Sequence, residues 1–215
     1  MRKLCWPLLF ALVVAVSRIP GLLPPNFSAV YAFLFCAGVF FPGAMAWWLP
    51  LATLACTDLA LAAYYSLALN YDVFSAPSWA ALGFNYLAYA VLILLGRGFR
   101  PHASLLGLLC GGLAGAVLFY LLTNTASWFF NPFGHAEYTR TLEGWLRALT
   151  LGVSGYPPTW EFFRNTLLSS GLFTMLFAVA AKATARAESP REKEPVPAPV
   201  EPEPPTELKP GETAS

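Results

Sequence analysis

Six stretches of the chain are apolar almost throughout, and short breaks rich in proline, glycine and asparagine separate them. They run from about Leu4 to Ile19, Asn26 to Phe41, Ala44 to Leu69, Ser78 to Gly96, Ala103 to Phe130 and Trp160 to Lys182. A bilayer-spanning helix needs about 20 consecutive apolar residues. The pattern therefore predicts an all-α fold, a polytopic membrane bundle of about six transmembrane helices. The breaks fall at Pro20 to Pro25, Phe41-Pro42-Gly43, Asn70 to Pro77, Arg97 to Pro101 and, the longest, Asn131 to Pro158. Proline lacks the N–H that a helix interior needs, and glycine loses the most entropy on ordering, so both punctuate helices.

The second stretch is short. Its 16 residues at about 1.5 Å each reach about 24 Å, less than a hydrocarbon core of about 30 Å. It is expected to begin below the surface, where protein or a wet cavity can satisfy its ends. Within the longest break, Leu142 to Leu151 places Trp145, Leu146 and Leu149 beside Glu143 and Arg147. That mixture fits an amphipathic helix lying over the outer face as a lid. In the fifth stretch Gly107, Gly111 and Gly115 recur every four residues, with Gly112 beside them, which marks a close-packing surface.

Two units follow: a transmembrane helical domain over residues 1–183 and a tail over 184–215. From Pro190 to Pro210 proline and glutamate alternate with almost no large apolar residue. Such a segment buries too little surface to offset its ordering entropy, so a disordered cytoplasmic tail is expected. A rival reading takes the first stretch as a cleaved signal peptide, because Met1-Arg2-Lys3 is a basic start and Ala15-Val16-Ser17 a small-residue cleavage site. Cleavage would remove Ala11-x-x-x-Ala15, a small-residue pair that lets helices approach closely.

Composition sharpens this picture. Of the 215 residues 57% are hydrophobic and only 12% charged, about half the charge of a soluble domain. A net charge of +1 supplies no field to attract nucleic acid, which is excluded as a partner. Cys5, Cys36, Cys56 and Cys110 sit in apolar stretches without a Cys-x-x-Cys pair, so no metal site or cofactor is expected. The only histidines, His102 and His135, fall in loops on opposite sides of the fifth stretch, which argues against an enzyme. Basic residues set the orientation. With the N-terminus inside, the inner flanks hold Arg2, Lys3, Arg97, Arg100, Lys182 and Arg186, and the outer side Arg18, Arg140, Arg147 and Arg164. Both termini are expected to be cytoplasmic.

Charged groups cost about 2.5–3.5 kcal/mol each at the centre of a spanning helix, so their placement is informative. Under this topology Arg18, Asn26, Asn85, Asn124, Arg164 and Asn165 all fall in the outer half. Trp128 lies one turn beyond Asn124, and Asp58 sits near mid-depth. The inner halves are nearly pure Leu, Ala, Val, Phe and Gly. These eight residues are the candidate substrate-binding set, lining an outward-open pocket with Asp58 at its floor. An isolated carboxylate there would protonate or pair, and Arg18 and Arg164 are its candidate partners. Two arginines suggest an anionic or amphiphilic ligand. Pro24-Pro25-Asn26-Phe27-Ser28 would open the second helix, where bare N–H groups attract anions.

Several segments carry a resemblance. Arg18-Ile-Pro with Pro24-Pro25-Asn26-Phe27, Leu49-Pro50-Leu51 leading to Thr57-Asp58-Leu59, Leu118-Phe119-Tyr120-Leu121-Leu122-Thr123-Asn124 and Phe162-Phe163-Arg164-Asn165-Thr166-Leu167-Leu168 resemble an uncharacterised bacterial membrane family described as transport proteins. That family is similar to the substrate-binding S components of energy-coupling-factor vitamin transporters. The resemblance implies an S-component-like bundle in the bacterial inner membrane that captures a micronutrient-like small molecule from outside. It also implies a transmembrane coupling subunit and two ATPases as partners, with Ala11 and Ala15 as the partner-contact pair. The alternative is an inner-membrane scaffold or assembly protein with no small-molecule ligand.

Overall fold

The computed structural model describes residues 2–188, with side chains described from 6 to 185. Among the described residues the chain is all helical: α1 Arg2–Ser17, α2 Val30–Phe40, α3 Met45–Leu69, α4 Ala76–Arg97, α5 Leu105–Phe130, α6 Leu142–Leu149 and α7 Thr159–Glu188. Six of the seven match the six apolar stretches, and α6 is the helix expected in the longest break. Four of them, α3, α4, α5 and α7, are long and apolar enough to cross a membrane, whereas α1 and α2 are shorter. The long ones present leucine and aromatic residues outward, among them Leu59, Leu67, Leu87, Leu106 and Leu168, as a lipid-facing surface does. Helix α7 runs past residue 183 to Glu188, so it extends beyond the expected boundary. The Pro/Glu-rich tail lies outside the described residues.

Helix α2 is the centre of the bundle. Every residue from Val30 to Val39 is buried, and α1, α3, α4, α5 and α7 all pack around it. Its sequence, VYAFLFCAGVF, is apolar on all sides, and a helix without a polar face has to be enclosed. Phe33 meets Phe41 and Phe177 edge-on, and Phe10 of α1 stacks on Phe177 of α7 at 4.0 Å. With Phe10 and Val14 buried in this core, α1 is an integral part of the bundle.

The second helix is shorter than its apolar stretch suggests. Helix begins at Val30, not near Asn26, because the preceding residues are committed to a turn. Phe27 N–H donates to the Pro24 carbonyl at 3.0 Å, and Asn26 adopts a left-handed φ of 59°. Ser17 then ties the end of α1 to the start of α2: its hydroxyl donates to the Val14 carbonyl and accepts from Ala29 N–H.

Close approach of backbones fixes α2 against α4. Gly38 and Gly96 face one another, so that a methyl group at Gly38 would overlap the Ile93 carbonyl and one at Gly96 the Phe35 carbonyl. Small residues at such crossings do in a bilayer what burial from water does elsewhere, since lipid tails offer no hydrophobic drive between helices. The glycine series of α5 behaves similarly in part. Gly111 receives the Phe35 ring and Gly112 receives Thr174 of α7, while Ser170 donates to the Gly112 carbonyl at 2.9 Å. Gly107 lies at the exposed start of the helix and belongs to its cap, donating to Ser104.

Gly96→Val should therefore destabilise the protein by about 3 kcal/mol, at the upper end of ordinary overpacking costs. Gly83, with nothing within 4 Å of an added methyl, should accept alanine with no loss or a gain of about 0.5 kcal/mol. Unfolding curves in a mild detergent titrated with a denaturing one would measure both.

Candidate functional site

One end of the bundle is hollow. Helix α2 stops well short of it, and the space above its N-terminus is a cavity of about 600 Å³. Five parts of the chain wall it: the α1–α2 connection with the first turn of α2, α3 through Leu61 and Tyr65, α4 through Asn85 and Tyr89, α5 from Phe119 to Ser127, and α7 from Thr159 to Thr166. Arg18 and Asn26 line it from the connection, and Asn85 and Asn124 from the helices. Four of the eight sequence candidates thus meet in one space.

Arg18 is anchored. Its Nη2 pairs with Asp58 Oδ1, and Tyr86 donates its hydroxyl to Asp58 Oδ2 at 2.9 Å. Both carboxylate oxygens are occupied, and the two side chains are only 14% and 16% exposed. Asp58 lies behind the wall and pairs with Arg18, while Arg164 takes no part. Removing one member of so enclosed a pair leaves an unmatched charge, which costs about 3–5 kcal/mol.

The remaining candidates lie outside the cavity wall. Arg164 is exposed and stands over the Trp160 ring at 5.5 Å. Asn165 donates to the Pro25 carbonyl at 2.9 Å, tying α7 to the connection that forms the cavity rim. Trp128 donates its indole N–H to the Thr139 carbonyl at 2.7 Å. A four-residue step advances about 40° round a helix, so Trp128 is carried off the face that holds Tyr120 and Asn124, and Ser127 takes its place. Arg164 thus stands outside the cavity, and the arginine that lines it, Arg18, is paired with Asp58.

Helix α6 is amphipathic, with Gly144 and Ala148 buried and Leu142 and Leu146 exposed. It packs on α5 and α7, held by Trp145 donating to Thr125 at 3.0 Å and Tyr120 donating to the Leu149 carbonyl. No residue of α6 lines the cavity. The lid expected of it is not there; residues 18–28 form the rim. Ala11 packs against the core and Ala15 lines a small crevice facing α3, so the outward face of α1 is made by Leu8, Leu9, Leu12 and Val16. Among the described residues no cluster of metal-ligating side chains occurs. His102 and His135 flank opposite ends of α5.

Sequence reasoning reached Phe27 and Phe162 as aromatics suited to a ring, and both line the cavity, but it missed Tyr31, Tyr89, Phe119 and the hydroxyl members of the wall. Tyr31, Tyr89 and Phe119 form one aromatic group, with Phe119 parallel to Tyr89 at 5.6 Å and 4.8 Å from Tyr31. Thr123, Ser127 and Thr166 also face the space. The signal was present as spacing: Tyr89 lies one turn from Asn85, and Phe119, Thr123 and Ser127 follow at four-residue steps.

The long connection between α5 and α7 is tightly organised by its own hydrogen bonds. Asn131 donates to the His135 carbonyl and accepts from His135 N–H, and Glu137 accepts from Ser154 N–H at 3.1 Å. Hydrogen bonds from its own backbone N–H and from Ser154 hold the Glu137 carboxyl below its usual range.

The chain belongs to the family of unknown function DUF6580, which it matches over residues 1–192. No curated protein and no solved structure matches it.

A depressed folded pKa means that the Glu137 clasp is complete above the ordinary glutamate range and is lost as pH falls through the lowered value. Hydrogen exchange of the segment around Ser154, corrected for intrinsic rate, should therefore accelerate only below that ordinary range. Glu137→Gln should remove the pH dependence.

Proposed function

We propose that this DUF6580 member is a membrane binding protein that captures a small, micronutrient-like molecule in the cavity above α2 and delivers it for uptake. The observation that carries the reading is the convergence of Arg18, Asn26, Asn85 and Asn124 on one cavity of about 600 Å³ at one end of a bundle whose core is apolar. Ligand sites are concave, mostly apolar and fitted with a few polar groups, and polar side chains within spanning segments are costly unless they serve a purpose. Binding rather than catalysis suits the wall, which offers amide, hydroxyl and guanidinium groups on aromatic surroundings.

In this reading all six apolar helices lie within the inner membrane of a bacterium, α1 and α2 as short members supported by their neighbours. The cavity opens to the outer face, because Arg97, Arg100 and Lys182 flank the opposite end, and basic flanks stay cytoplasmic. Both termini are then cytoplasmic. The bundle acts as an S-component-like unit, and a transmembrane coupling subunit with its ATPases would supply the energy. Such a subunit, docking on α1, would meet its exposed leucines and Val16, with Ala11 and Ala15 behind them.

Purification from the native membrane in mild detergent, with mass spectrometry of co-purified small molecules and proteins, tests the reading. The wild type should retain a defined small molecule. The pair Asn85→Leu and Asn124→Leu should lose at least about 90% of it with little change in unfolding midpoint, since the Asn124 amide N–H donates only to its own helix at Tyr120; a tenfold loss corresponds to about 1.4 kcal/mol of binding. Persistent absence of any small molecule, with unfolding on Asn124→Ala, would instead identify a scaffold.

A further inference from the structure

We propose that the cavity selects an uncharged, planar ligand bearing hydrogen-bond acceptors and donors, and that Asp58 enforces this by neutralising Arg18 from behind the wall. The inference rests on the binding reading and adds the charge class of what is bound. Arg18 is the only charged residue among those described as lining the cavity. Its charge is met by Asp58, whose second oxygen is held by Tyr86, so the carboxylate is fixed in place. A ligand therefore sees guanidinium N–H groups without a net positive field.

Each charge class then fares differently. An anion approaching Arg18 is attracted by the guanidinium and repelled by Asp58 just beyond it, and it must also shed its hydration. A cation finds no carboxylate in the wall to offset the hydration it sheds. An uncharged molecule incurs neither penalty and can still use the polar groups. Arg18 donates, the Asn85 amide can do both, and Asn124 offers its carbonyl oxygen and its second amide N–H, the first being bonded to the Tyr120 carbonyl. The Thr123 hydroxyl hydrogen is likewise turned to its own helix, at Phe119, which leaves oxygen lone pairs as acceptors. Flat walls are supplied by the parallel Tyr89 and Phe119 rings, with Tyr31 beside them and Phe27 and Phe162 also lining the space. Such surfaces take a planar ring by offset stacking.

The test uses the full-length protein in lipid nanodiscs and a panel of one- and two-ring heteroaromatics. Each ring is supplied as its carboxamide, carboxylate and aminomethyl derivative, and binding is followed by ligand-observed NMR. The wild type should bind carboxamides at least about tenfold more tightly than the matching carboxylates or amines. Asp58→Asn, which leaves Arg18 unmatched, should move the carboxylate-to-carboxamide ratio toward the carboxylate by about tenfold or more. The double variant Arg18→Gln/Asp58→Asn, which carries no buried charge, should return to the wild-type ranking and stands in should the single variant fail to fold. Carboxylates or amines leading in the wild type, or a double variant that prefers carboxylates, would overturn the charge rule alone. Silence across the panel from folded protein would overturn the binding reading and this inference with it.

Discussion

The length of α2 governs the rest of the molecule. Its 11 residues span about 16 Å, whereas the 25 residues of α3 and 26 of α5 reach about 37 and 39 Å. A short helix enclosed by long ones leaves one end of the bundle without a centre. That vacancy is filled in part by the α1–α2 connection, and what remains is the cavity. Had α2 continued to Asn26, its next turn would have occupied the space now lined by Asn85, Asn124 and Phe119.

What keeps α2 from moving into the space is packing of a kind that does not tolerate sliding. At Gly38 and Gly96 the two backbones touch, and a shift along either helix would bring side chains where none fit. Around this contact the aromatic set Phe10, Phe33 and Phe177 fills the interior. At the other end of α2 the Ser17 hydroxyl accepts from Ala29 N–H, so the chain turns from α1 to α2 without leaving that donor unmatched. A closely packed, apolar half and a polar, irregular half are the two consequences.

The polar half is a network rather than a scatter of surface groups. Asp58, Tyr86 and Arg18 join α3 and α4 to the connection, and Asn165 joins α7 to the same segment at Pro25. In a low-dielectric interior such groups are costly unless they are partnered. Here Arg18, Asp58, Tyr86 and Asn165 are partnered while the cavity itself stays open. The arrangement spends polar side chains on holding a space, which is why a ligand is the natural reading of it.

Much of the architecture was legible in the chain, because long apolar runs broken by proline and glycine can form little other than helices in a bilayer. The six stretches, the amphipathic helix at Leu142–Leu149 and the need of Asp58 for an arginine, Arg18 or Arg164, were open to sequence reasoning. Three-dimensional packing decided the rest. The start of α2 depended on the turn at Asn26, whose left-handed φ no apolar pattern encodes. Whether Arg164, Asn165 and Trp128 faced the cavity depended on a few tens of degrees of helix rotation. The aromatic wall stayed hidden because Tyr31, Tyr89 and Phe119 read in sequence as ordinary members of apolar helices. Hydrophobicity along one dimension settles how many helices there are; which faces meet is a matter of rotation and close approach, and only the folded bundle fixes it.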